Sequence, residues 1–377
     1  ITFVINLISV PYNAAIIAHE KMSAFAYISI LEAVCKLAIA FLIIVSPIDK
    51  LIFYAILMCA VSFIVRFTYG HYCKKHFAEC NYHFHWDKEI LKKMFGFAGW
   101  NFIGAASGVL RDQGGNIVIN LFFGPAVNAA RGIATQVNAA VVGFINNFMT
   151  ALNPQITKSY ASGDKEYMMT LIYQGARLSF YLLLFLSLPI LVNTHYILVL
   201  WLKILPNYAV LFVQLTLCFA LSESISQPLI TAMLATGNIK RYQIIVGGLQ
   251  LMNLPISYML LKMGFPPQCV LVVAIVISQL CLMARLYLLR KMIGISFIRF
   301  MRKVYLNVSV VTICSIIIPI VISQRLTESF SSFVILNIIV VICTSLSIFF
   351  IGCNLKERCL IKEQVYKLRQ RISKRKI

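Results

Sequence analysis

The chain reads as apolar blocks of about 18–27 residues separated by short polar stretches. A block of that length matches a helix crossing about 30 Å of hydrocarbon. Membrane-spanning strands would run to about ten residues and alternate in polarity, and these blocks do neither. The pattern predicts eleven helical spans, at 1–18, 24–46, 51–70, 96–122, 126–151, 168–192, 208–233, 242–262, 268–289, 304–322 and 333–351. An all-α, polytopic membrane protein is therefore expected.

The polar stretches alternate in character. HEKM (19–22), the segment 71–94, ITKSYASGDKEY (156–167), TGNIKR (236–241) and RKMIGISFIRFMRK (290–303) are basic. SPIDK, GPA, the 193–207 connection with Tyr196 and Trp201, GFPP and SQRLTESF carry few cations. By the positive-inside rule the basic side is cytoplasmic. Residues 354–377, with nine Lys and Arg, then form a cytoplasmic tail at the membrane surface.

Composition agrees with this picture. Hydrophobic residues make up 60% of the 377 and charged residues 12%, about half the share of a soluble chain. A net charge of +21 first suggests nucleic acid. Most of the 34 Lys and Arg, however, fall in loops of one side, so the excess sets topology and meets anionic lipid headgroups. No nucleic-acid partner is expected. Seven of the eleven cysteines lie in predicted spans and four in basic segments, so no disulfide framework is expected either.

An internal similarity organises the spans. PYNAAIIA (11–18) and PLITAMLA (228–235) share Pro and two Ala at the same offsets, pairing the first span with the seventh. Transporters are often built from such repeats, with the substrate between them. A six-span period makes 1–70 the last three helices of one lobe, 71–95 a cytoplasmic linker and 96–289 a complete six-helix lobe. Residues 290–353 then hold two additional helices. With no initiator Met before Ile1, three further spans are expected ahead of it, about 80–100 residues by span length plus loops.

Charges inside the spans mark candidate chemistry, since one near the bilayer centre costs about 2.5–3.5 kcal/mol on insertion scales. In the fourth span, Gly104, Gly108, Arg111 and Gly115 share one helical face, which either lines a cavity or packs closely on a neighbour. Asp112 is rotated about 100° from Arg111, so the two need not neutralise each other. The fifth span places Asn128, Arg131, Thr135, Asn138 and Asn146 within about 80° of one face, a wet surface or an interhelical hydrogen-bond ladder. Arg131, near the outer end, has the option of snorkelling to headgroups. Arg111, Arg131, Asn128, Thr135 and Asn138 are the candidate substrate-binding residues. Asp112, Glu223 and Glu32 are the candidate ion-coupling carboxylates, although Glu32 also has Lys36 four residues on. Arg177 is shallow enough to snorkel.

Other chemistry is not indicated. His71, Cys73, His76, Cys80, His83 and His85 are metal-ligand types without a compact metal-site spacing. No phosphate-binding G-x-x-x-x-G-K-[ST] loop, G-x-S-x-G elbow or H-E-x-x-H occurs. Neither an enzyme activity nor a cofactor or metal is expected.

PYNAAIIAHEKM, FAGWNFIGAASGVLRDQGGNIVINLFFGP, NPQITKSYASGD and ATGNIKRYQ, in this order and spacing, resemble the polysaccharide-exporting flippases of the multidrug/oligosaccharidyl-lipid/polysaccharide exporter superfamily. The resemblance implies two six-helix lobes followed by two helices, fourteen in all. It also implies alternating-access transfer of a polyprenyl-pyrophosphate-linked oligosaccharide across a bacterial cytoplasmic (inner) membrane, for O-antigen, capsule or exopolysaccharide synthesis. Its implied partners are the lipid-linked oligosaccharide, membrane lipids and polysaccharide polymerase or assembly proteins. A multidrug or cation antiporter of the same superfamily is the alternative, and a membrane glycan polymerase or ligase is a rival of another class. The latter would need a long external loop for its catalytic groups, and none is present.

Overall fold

The computed structural model describes residues 2–46, 49–80, 86–324, 329–355, 357–359 and 363. Among these every regular element is helical, as the block pattern predicts. Nine of the described helices are long and apolar enough to cross a membrane, and the apolar Thr2–Ala18 is shorter, at 17 residues. The surface is inverted relative to that of a water-soluble protein: Phe102 is 72% exposed, whereas Arg285 is 1% exposed. Residues 325–328 of the predicted 323–330 loop, most of the 354–377 tail, and His83 and His85 lie outside the described residues.

The chain forms two compact units, Ile1–Leu91 and Lys92–Ile377. The first holds α1 (Thr2–Ala18), α2 (Met22–Leu42) and α3 (Lys50–His76). Its small core gathers Ile16, Ile28, Tyr69, Cys73 and Phe77. The Arg66 guanidinium lies 4.1 Å above the Tyr12 ring. His19, stacked on Phe77, hydrogen-bonds the Glu79 carboxyl and holds it below the usual carboxylate range. Helix enters the predicted 71–95 linker from both ends. Lys74, Lys75 and His76 continue α3, where their charge suits the negative end of the helix dipole. On its far side Asp87 accepts hydrogen bonds from Glu89 N (2.8 Å) and Ile90 N (3.1 Å) and starts α4 at Lys88.

The second unit opens with α4 (Lys88–Ala161), 74 residues of helix bent at Gly124. A straight helix of that length would measure about 110 Å, more than three bilayer cores. Gly124 has φ 78° and ψ −179°, a backbone region essentially confined to glycine, and Pro125 follows without an N–H. The GPA break is thus a single-residue reversal rather than a loop. Gly163 (φ 76°) ends the second arm, and the Asp164 side chain caps α5 (Lys165–Val192) through Tyr167 N at 3.0 Å. Helix therefore replaces most of the predicted 156–167 loop.

Next come α6 (Thr194–Leu202), α7 (Ala209–Ala235), α8 (Lys240–Leu251), α9 (Asn253–Lys262) and α10 (Cys269–Ile293). α6 is a nine-residue helix within the predicted 193–207 connection. Then α11 (Phe297–Phe300) runs through a π-helical segment, Met301–Leu306, into α12 (Asn307–Ser323). Much of the predicted 290–303 loop is consequently helical. α13 (Phe330–Ser347) ends in a second π segment, Ile348–Gly352. α1 and α7 end on Ala18 and Ala235, each seven residues after a proline. α1 packs most extensively on α3, and α7 packs on α10 as well as α5.

Arg177 Nη1 (3.3 Å) and the Tyr181 hydroxyl (3.4 Å) both donate to the Gly352 carbonyl. A Cβ at Gly352 would stand 2.8 Å from Tyr181 Cζ. Gly352→Ala is accordingly expected to destabilise the second unit by about 1–3 kcal/mol, the usual range for overpacking. Thermal unfolding of the detergent-solubilised protein measures this, and an unchanged midpoint would contradict the contact.

Candidate functional site

The bend at Gly124 brings Arg131, seven residues after it, against Gly115, nine before it. A Cβ at Gly115 would lie 2.6 Å from Arg131 Nη1, so the absent side chain is the space that the guanidinium fills. Arg131 Nη2 donates to the Asp112 carbonyl at 3.3 Å, while Nη1 finds no hydrogen-bond partner. Arg131 is 9% exposed and turns into the protein, not outward to headgroups. Close packing also accounts for Gly104, where a Cβ would meet Gln243 Oε1 of α8 at 1.9 Å. Of the two readings of the glycine face, the helix–helix contact is the one observed at these positions.

Arg111 and Asp112 pair with each other, an outcome the sequence left open. Arg111 Nε reaches Asp112 Oδ1 at 2.9 Å, and Nη2 reaches Oδ2 at 3.3 Å. Adjacent positions diverge by about 100°, but the long arginine stem curls around the helix and overcomes that divergence. The guanidinium also rests 4.9 Å from the centre of the Phe219 ring on α7.

Glu223, on α7, faces the same interior. Its Oε1 accepts from Ser278 Oγ on α10 at 2.7 Å, and Ser278 shares a 2.8 Å hydrogen bond with Ser222. Gln279 donates to Ser222 and accepts from the Tyr305 hydroxyl at 3.0 Å. A hydrogen-bonded chain thereby runs from Glu223 to the first π segment.

Arg285, on α10, is the residue that sequence reasoning passed over. Its Nε and Nη1 are buried without hydrogen-bond partners. The signal in the sequence was slight. Arg285 stands five residues before Arg290 and so merges with the basic end of its helix. It is, however, seven residues after Ser278, on the same helical face.

The remaining candidates divide. Asn128 and Asn138 keep side-chain oxygens buried without hydrogen-bond partners. The Thr135 hydroxyl turns back onto the Arg131 carbonyl at 3.1 Å, and its residue is exposed. Glu32 belongs to the first unit, where Lys36 Nζ pairs with it at 2.6 Å. Arg177 does not snorkel: Glu357 Oε1 holds its Nη2 at 2.7 Å.

Arg131 and Arg285 are thus buried among helices of apolar sequence with donors to spare, while Arg111 pairs with the exposed Asp112. No protein-family model, curated protein or solved structure matches the chain.

Glu223 is part-buried and accepts from Ser278, and a hydrogen bond to a charged group is worth about 1.5–3 kcal/mol. Glu223→Gln is therefore expected to destabilise the second unit in that range. Glu223→Gln combined with Arg285→Met should lose clearly less than the sum of the two single changes. A double-mutant cycle on unfolding in detergent checks this, and simple additivity would show that the two charges are uncoupled.

Proposed function

We propose that the chain acts as a flippase, a secondary transporter that carries a polyprenyl-pyrophosphate-linked oligosaccharide across a bacterial cytoplasmic membrane. The observation that carries this reading is guanidinium charge among apolar helices: Arg131 and Arg285 are buried and Arg111 is part-buried, whereas Asp112 is exposed. Intramembrane ionisable groups of this kind usually serve a transported ligand. Arg131 and Arg285 retain unsatisfied N–H groups of the kind that recognise phosphate oxygens. The pyrophosphate is the part of the cargo that would meet them, and alternating exposure of the cluster would move it between leaflets.

On this reading the chain crosses the membrane eleven times. The two arms of α4 count separately, α8 and α9 make one span, and the C-terminus is cytoplasmic. Three helices form the end of one lobe, six form the other, and α12 and α13 follow. The matching ends of α1 and α7, and their similar packing on α3 and α10, support a repeated lobe. The transferred glycan would feed O-antigen, capsule or exopolysaccharide assembly by a polymerase. No bound cofactor is required for such transport.

A multidrug or cation antiporter is the second reading. Glu223 favours it, as an interior carboxylate at the head of a hydrogen-bonded chain.

The full chain in proteoliposomes is expected to move a fluorescent polyprenyl-pyrophosphate oligosaccharide between leaflets. Arg111→Ala and Arg131→Ala should each slow this by about tenfold or more, equivalent to about 1.4 kcal/mol, with normal protein levels. Wild-type flipping in both variants would overturn the cationic-site reading. Proton-coupled drug exchange without glycan flipping in the unmodified chain would favour the antiporter.

A further inference from the structure

A second cationic site lies where α5, α11 and the first π segment meet the end of α13. It is a cavity of about 760 Å³ lined by Arg177, Arg299, Arg302 and Lys303, with Tyr173 and Asn307 among its other walls. Its described lining contains four cations and no carboxylate. A volume of this size suits a small ligand or a lipid headgroup.

The local fold presents these charges by design of the sequence. Phe300 and Val304 are fully buried and anchor the segment, and Phe300 packs at 6.0 Å from the Tyr173 ring. Arg299, Arg302 and Lys303, between and beside those anchors, are left exposed. The π-helical winding of Met301–Leu306 places Arg302 and Lys303 on this wall, and π segments occur frequently at functional sites. Lys303 Nζ lies 6.0 Å from the centre of the Tyr173 ring.

One cation of the site already holds an oxyanion. The Glu357 carboxylate accepts from Arg177 Nη2 and, through Oε2, from Asn354 N at 2.7 Å. Arg177 is 5% exposed, and its Nε is buried without a partner. Glu357 balances Arg177, and the lining supplies no such acid for Arg299, Arg302 or Lys303.

We infer that this cavity binds a phosphate group, presented either by an anionic lipid headgroup or by a free phosphate ion. Planar guanidiniums match phosphate oxygens in pairs, and a neighbouring lysine adds charge without demanding geometry. An ordinary solvated basic surface would lack the enclosing walls, the buried Arg177 and the aromatic floor.

The test uses the full chain in detergent, with phosphatidylglycerol, phosphatidylcholine and inorganic phosphate as probes. Arg299→Gln/Arg302→Gln/Lys303→Gln is compared with Lys74→Gln/Lys75→Gln/Lys88→Gln, which removes the same charge elsewhere. The cavity variant is expected to weaken phosphatidylglycerol binding, phosphate binding, or both by about tenfold, and the control variant by less than about twofold. Binding of phosphatidylglycerol alone identifies the lipid as the source, and binding of both probes identifies the phosphate group itself. Equal losses in the two variants, or no loss in the cavity variant, would overturn the site. A readout on the unmodified chain guards against misfolding. Either bound probe should slow phenylglyoxal labelling of Arg299 and Arg302, located by peptide mass, and unchanged labelling with both probes would overturn the site equally.

Discussion

The second unit depends on compensating guanidinium charge where water is scarce. An isolated buried charge costs several kcal/mol even after relaxation, so each interior arginine must be met by something. Asp112 folds against Arg111, and the Asp112 carbonyl receives Arg131. Glu223 accepts from Ser278, on the same helix as Arg285. These groups come from both arms of α4 and from α7 and α10. What fixes the packing is therefore the same set of groups proposed to meet the cargo.

The compensation is incomplete, and that bears on function. Nη1 of Arg131 and two nitrogens of Arg285 lack hydrogen-bond partners, as do the side-chain oxygens of Asn128 and Asn138. A bundle selected for stability alone would have closed such gaps or replaced the groups with apolar ones. Their retention fits a site that exchanges protein contacts for ligand contacts. The basic cavity near Tyr173 follows a different scheme. There the cations sit at the end of the bundle, and their stems are held by Phe300 and Val304 rather than by opposing charges.

The helical class was readable because block length and polarity depend on hydrocarbon thickness, which no tertiary contact alters. The ends of α1, α5 and α7 fall within three residues of the predicted spans for the same reason. Loops were overestimated where a cap or a backbone inversion shortens the turn, as at Gly124 and at the Gly163–Asp164 pair. Arg111, Arg131 and Glu223 stood out as charges in apolar text. Their partners did not, because pairing depends on side-chain reach and on the fold. The Arg111–Asp112 pair defied the angular argument through stem length alone. Arg285 escaped notice because a cation near a basic helix end looks unremarkable until neighbouring helices close over it. The cavity lining was hidden for a related reason: a π turn changes which residues share a face, and sequence spacing assumes α-helical winding throughout.

The single reversal at Gly124 also makes α4 a pair of levers with one pivot. Counting 1.5 Å per residue, Asp112 lies about 18 Å from the pivot and Arg131 about 10 Å. Opening the angle between the arms by about 10° would displace Asp112 by about 3 Å relative to a fixed Arg131 arm. That is comparable to the length of the hydrogen bond joining them. A modest change of bend is thus amplified into the breaking or making of a charge contact. The backbone joint and the interior electrostatics behave as one mechanical element.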